Sequence, residues 1–358
     1  MNFNETLQFA RVLPNSVPIF FLGRPGIGKS AVSRAVGAAM GDDAVIIRRE
    51  LTGHLPEDMS GIPFKEGGFT RFCPPEFLAA LTGDVKGALI LEDITQAGKA
   101  VQVACFQLVQ ERSMGDIHLS PNVRIILTGN RASDKAGARE LPSPLRNRVM
   151  LLSLEPDLEE WMYWAASEGL PGVIGSFLMW RPQFFSQLPS SADAENGQFA
   201  TPRSWENVGR VFKPALDFGK GDIGPLSAAV SGLVGSGVAA EFVGFVKLQK
   251  ELPDPQAVLD NPEKAMPNPP HEPDRMAALV TALGEYAAVN EASDKKIHIK
   301  LLLALAHVSS KSKEGTAAGV TVFQANGGDV GQLVDAAEKH KKDPRVLAVL
   351  KFFAEATK

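Results

Sequence analysis

The sequence predicts an α/β fold: a parallel sheet with crossover helices over residues 1–155, followed by helical segments. Three observations predict it. The glycine-rich stretch Gly23–Ser30 joins a short apolar run to a run of small, helix-compatible residues. Strand-like and helix-like segments then alternate as far as about residue 155. From Pro156 onward the signals are mostly helical. A length of 358 residues allows two or three domains, and 44% apolar with 22% charged residues is an ordinary globular balance.

Val17–Leu22 is apolar and carries β-branched and aromatic residues between turn signals, so it reads as a buried strand. Ser30–Met40 is rich in small residues and reads as a helix packed close to a sheet. Val45–Leu51, Gly87–Asp93, Val123–Asn130 and Val149–Leu154 are further strands. Ala97–Arg112 carries Val101, Cys105 and Leu108 at helical spacing. Two insertions interrupt the alternation. Residues 53–76 are dense in turn formers, among them Pro56, Gly61, Pro63, Gly67 and Gly68. Residues 113–122 read as a small hairpin centred on Met114, Gly115 and Asp116. Beyond the core at 1–155, residues 156–251 are helical, with aromatic patches such as Trp161, Tyr163 and Trp164. A proline-dense link at 252–273 precedes a last helical region, 274–358, with two long helix candidates and no chemical motif.

The segment Gly23, Arg24, Pro25, Gly26, Ile27, Gly28, Lys29 and Ser30 matches G-x-x-x-x-G-K-[ST] in full, between a strand and a helix. Glycines let successive backbone N–H groups turn inward around phosphates, and a helix N-terminus adds partial positive charge. The expected ligand is a nucleoside triphosphate with Mg²⁺. Lys29 would reach the β- and γ-phosphates, the Ser30 hydroxyl would face the metal, and Ala31 would complete the nucleotide-binding set. Such a loop needs a metal-positioning acid and a group that polarises water. Glu92 and Asp93 close an apolar strand where those acids belong, and Asn130 ends the neighbouring strand within reach of the attacking water or γ-phosphate.

Gly23–Ser30, Leu91-Glu92-Asp93-Ile94, Thr128-Gly129-Asn130, Pro144-Leu145-Arg146-Asn147-Arg148 and Thr201-Pro202-Arg203 follow in order at suitable intervals. Together they resemble an AAA+ ATPase of the MoxR-type, dynein-related group, over residues 17–215. The resemblance implies a P-loop AAA+ core at 1–155, an α-helical lid at 156–251 and an α-helical C-terminal region. It implies that Arg148, with Arg146 as the alternative, is an arginine finger serving a neighbouring subunit's nucleotide. It makes Arg203 the lid arginine that senses the γ-phosphate. Shared sites imply a homo-oligomeric ring, usually a hexamer. The implied partner is a protein client, with a von Willebrand A-type domain on a separate polypeptide, remodelled in a chaperone-like way. The two insertions are candidates to face a pore or a client, with Phe69, Arg71 and Phe72 as contact side chains.

One departure stands out. The family's acidic pair runs Asp then Glu, and here Glu92 precedes Asp93. Glu92 then takes the metal side, through water, and Asp93 becomes the water-activating group. Because catalysis of this kind is largely positioning, slow, client-stimulated turnover is expected. Two other readings are open: a DNA-acting motor or loader, and a slow or non-hydrolysing assembly module. A net charge of −4 disfavours nucleic acid as a partner. Cys73 and Cys105 read as packed thiols in a reducing compartment, and the six histidines show no metal-ligand spacing. With no membrane span or secretion signal, the expected location is the cytoplasm.

Overall fold

A computed structural model of the chain describes residues 1–134, 139, 141–187, 197–270, 272–308, 313–347, 349 and 350. These divide into two compact units, Met1–Asp157 and Leu158–Lys358. The first opens with α1 (Phe3–Val12), whose N-terminus is closed by a capping box between Asn2 and Glu5. The Asn2-x-x-Glu5 pattern marks the start of this helix, and Phe3, Leu7 and Ala10 recur at helical spacing on its core side.

Five strands build a parallel sheet: β1 (Ile19–Leu22), β2 (Val45–Glu50), β5 (Gly87–Glu92), β8 (Val123–Gly129) and β9 (Met150–Ser153). They lie in the order β2-β5-β8-β1-β9. Buried alternation assigns their two faces. Ile19, Phe21, Ala88, Ile90 and Ile126 meet Val32 and Val36 of α2 (Lys29–Ala38) in one core layer. Phe20, Leu89, Leu91, Ile125 and Leu127 meet Val101, Cys105 and Leu108 of α5 (Lys99–Glu111) in the other. The result is a parallel five-stranded sheet flanked by helices, as the alternation of signals predicted.

Both insertions are hairpins. Between β2 and β5, a short helix α3 (Pro56–Ser60) leads into β3 (Ile62–Glu66) and β4 (Phe69–Cys73), paired antiparallel, before α4 (Glu76–Ala79). Their turn, Gly67-Gly68, holds φ at 57° and 85°, the left-handed pair that a two-residue hairpin turn requires. Every residue of β3 and β4 is exposed, including Phe69 and Phe72. After α5 come β6 (Ser113–Met114) and β7 (Ile117–His118), with Gly115 and Asp116 as their turn. The short helix α6 (Ser143–Arg146) precedes β9.

The second unit is helical. An aromatic core joins α7 (Leu158–Ser167), α8 (Gly172–Trp180), α9 (Pro202–Gly219), α10 (Gly224–Val234) and α11 (Ser236–Glu251) around Trp161, Phe177, Trp205 and Phe242. The proline-dense stretch holds two short helices, α12 (Pro255–Asp260) and α13 (Pro262–Ala265), each starting on a proline. Val258, Leu259 and Met266 bury against α14 (Pro273–Asn290) and α15 (Ile297–Val308), so this stretch belongs to a core. α16 (Lys313–Ala325) and α17 (Val330–Lys339) follow. Among the described residues no helix is long and apolar enough to cross a membrane.

The two cysteines differ from the expectation of two packed thiols. Cys105 is buried in α5, but Cys73 is exposed at the end of β4 because that hairpin has no covering layer. Burial pushes the Cys105 thiol up to about 12. A thiolate-selective reagent at pH 8 should therefore modify one thiol of the native chain quickly and the second after unfolding. Rapid loss of both thiols in the native state would contradict this burial.

Candidate active site

Parallel pairing brings the C-terminal ends of three strands together. Leu22 lies opposite Gly129, and Leu91 lies opposite Leu127. Gly23, Asp93 and Asn130 follow β1, β5 and β8, and Glu92 is the last residue of β5, so three distant sequence segments share one sheet margin. This is the margin at which open α/β sheets bind ligands.

The loop from Gly23 runs into α2 through Gly28, the N-cap, at φ 96°. With Gly26 at φ 76°, it uses conformations that side chains strongly disfavour. The Lys29 side chain folds back over the loop. Its Nζ donates to Gly23 O at 3.0 Å, Arg24 O at 2.8 Å and Asn130 Oδ1 at 2.7 Å. Lys29 is buried, and these oxygens offset the cost of taking its ammonium out of water. Ser30 and Ala31 follow in the first turn of α2, where the Ala31 N–H already donates to Gly28 O at 2.9 Å. Glycine torsions, a helix N-terminus and a lysine over the loop all fit a phosphate chain.

Asn130 is itself held in place. Its backbone N–H donates to Thr95 Oγ1 at 2.9 Å, and both residues are buried. Asp93 follows β5 in a left-handed conformation, φ 52°, rare for a residue with a side chain. Its backbone N–H donates to Thr128 Oγ1 at 3.0 Å, and the Ile94 N–H donates to Thr128 O at 2.9 Å. Thr128 thus fixes the turn that takes Asp93 off the strand. Such a conformation costs on the order of 1–3 kcal/mol and persists where neighbours over-determine it.

Glu92 sits differently from its expected metal-side role. It is 4% exposed, and both its carboxylate oxygens are taken by Arg48 of β2. Nε donates to Oε1 at 3.2 Å and Nη2 to Oε2 at 2.7 Å. The hydrogen bonds to Glu92 hold the Arg48 guanidinium above its ordinary pKa. Glu92 therefore does not present a free carboxylate to a cation. Arg48 is a site residue that sequence reasoning missed. Its signal was a charged residue inside a strand: Arg48 lies opposite Ile90, which makes Glu92 its diagonal neighbour on the same face.

The remaining candidates lie elsewhere. Arg146 ends α6, and Arg148 follows it, both exposed. The Arg148 guanidinium covers the Phe106 ring at 4.9 Å and donates to Pro144 O at 2.8 Å. Arg203 is exposed in the first turn of α9, in the second unit. Its helix starts with a capping box between Thr201 and Ser204.

Residues 18–149 match the sequence model of the AAA domain (dynein-related subfamily). No curated protein matches the chain. Among solved structures, NtrX from Brucella abortus is 16% identical, with a TM-score of 0.41 over 93% of this chain and 66% of that one. NtrX in complex with ATP is 14% identical, TM-score 0.41, over 94% of this chain and 66% of that one. A RuvB point mutant from Thermotoga maritima is 17% identical, TM-score 0.37, over 79% of each chain. The chain thus spans about two thirds of the NtrX structures it resembles.

Proposed function

We propose that this AAA domain is a working ATPase of the MoxR type, which assembles as a ring and remodels or activates a protein client. The observation that carries the reading is the convergence of Lys29 on the loop carbonyls and on Asn130 Oδ1. One ammonium there links the phosphate loop to the residue expected to orient water. In this reading the loop amides of Gly26–Ser30 and the Lys29 ammonium bind the phosphates. When bound, ATP supplies the phosphoanhydride whose hydrolysis drives the cycle. Asp93 accepts the proton of the attacking water, and Asn130 orients that water. Arg148, exposed next to α6, serves the neighbouring subunit, with Arg146 as the alternative. Arg203 acts as the lid arginine. A separate partner with a von Willebrand A-type domain completes the working complex.

Phosphate release measured at rising protein concentration tests this. The rate per chain should climb cooperatively as rings form, and Arg148→Ala should flatten that climb. Asp93→Asn should lower the plateau by about 100-fold, the scale of losing a positioned general base. A rate per chain that is independent of concentration and insensitive to Asp93→Asn would overturn the assignment. The reversed acid pair favours one second reading, a nucleotide-dependent assembly module with little turnover. It predicts ATP-dependent assembly with no phosphate release at any concentration.

A further inference from the structure

Glu92 occupies the place where a metal-side acid is expected, yet a cation of the protein already neutralises it. From this we infer that Arg48 is the resident counter-ion of Glu92 and competes with the divalent cation of a nucleotide complex for that carboxylate. The inference rests on the phosphate-loop reading of Gly23–Ser30.

Three observations carry it. First, the pair is bidentate, so the guanidinium fork engages both oxygens rather than grazing one. Second, the two partners are unequally buried: the Glu92 side chain is 5% exposed and that of Arg48 43%. Glu92 is nearly withdrawn from water, whereas Arg48 lies half-exposed on the edge strand β2, where it can swing out and be rehydrated. Third, the contact is built into the sheet, since the register of β2 on β5 sets Arg48 and Glu92 on one face as diagonal neighbours. A glutamate is one methylene longer than the aspartate usual at this position. That extra length helps its carboxylate reach a side chain on the next strand.

The consequence is a linkage. A buried carboxylate left alone is costly, so Glu92 needs one cation or another. A doubly charged ion brought to the same oxygens repels the guanidinium and removes its acceptors, so each cation weakens the other's hold. Arg48 then stabilises the metal-free protein and raises the Mg²⁺ concentration needed to load the site. Such a coupling makes Arg48 a positioning residue, one that acts through Glu92 and touches no substrate.

The test uses the full chain with a fluorescent ATP analogue at fixed concentration, titrated with Mg²⁺ from EDTA and read by both anisotropy and thermal midpoint. In Arg48→Gln the Mg²⁺ concentration at half-effect should fall about tenfold, within the usual range of site–site coupling. The midpoint of that variant in EDTA should also drop below the parent's and recover with Mg²⁺. In the Glu92→Gln background, Arg48→Gln should no longer move the Mg²⁺ dependence. If Arg48→Gln does not fold, Arg48→Lys keeps the charge but loses the fork, and it should shift the Mg²⁺ half-effect in the same direction by a smaller factor. An Mg²⁺ dependence unchanged in the folded variant would overturn the inference while leaving the functional reading intact. No binding of the analogue by the parent at any Mg²⁺ concentration would overturn the functional reading itself, and the inference with it.

Discussion

If the chain is the ATPase proposed, Lys29→Ala should reduce its ATP hydrolysis by at least about 100-fold, the scale seen when one preorganised electrostatic donor is removed from a site. Lys29 supplies the buried positive charge at the loop and the ammonium that bonds Gly23 O, Arg24 O and Asn130 Oδ1. Truncation removes the charge and leaves three oxygens without their donor. Binding of a fluorescent ATP analogue and phosphate release should therefore fall together. Fold should survive, because Val32, Val36 and the strands beneath them form the layer that holds α2. Circular dichroism unchanged alongside the lost activity is the expected pair of results. Retained hydrolysis within threefold of the parent would remove the phosphate loop from the mechanism.

A second large effect is expected far from that chemistry. Trp205→Ala should destabilise the helical unit by about 3–5 kcal/mol, the usual cost of deleting a large buried aromatic side chain. Trp205 is 0% exposed on α9 and packs against Phe177 at 5.7 Å and Phe242 at 5.4 Å between ring centroids. Its indole N–H donates to Phe184 O at 2.8 Å, so the truncation also strands a carbonyl. All four tryptophans (161, 164, 180 and 205) fall in Leu158–Lys358, so the fluorescence of the other three reports the unfolding of this unit in urea. A loss below about 1 kcal/mol would mean that the cavity collapses and the aromatic cluster is not the main support of the unit.

Much of the core was legible because its central strands β1, β5 and β8 are short, largely apolar runs buried on both faces. Such runs need no neighbour to be recognised, and Ala88–Leu91 is one. Element ends were less legible because caps move them. Gly28 at φ 96° starts α2 at Lys29, one residue before the apolar pattern suggests. Gly98 likewise delays α5 to Lys99. The hairpin at 62–73 was read as turn-rich insertion because its alternation faces solvent on both sides, which gives no hydrophobic contrast. Thr95 shows another limit. A buried threonine that holds an asparagine 35 residues away carries no local pattern.

Residue type and spacing determine the phosphate loop, because the torsions of Gly26 and Gly28 and the reach of Lys29 are properties of a few consecutive residues. The acid pair is equally visible in sequence, including its reversed order. What Glu92 does with its charge depends on contacts between strands. Arg48 lies 44 residues before it, and strand register, a property of the folded sheet, sets the two on one face. Charge and identity are written locally, but the partner of a buried charge is chosen by packing.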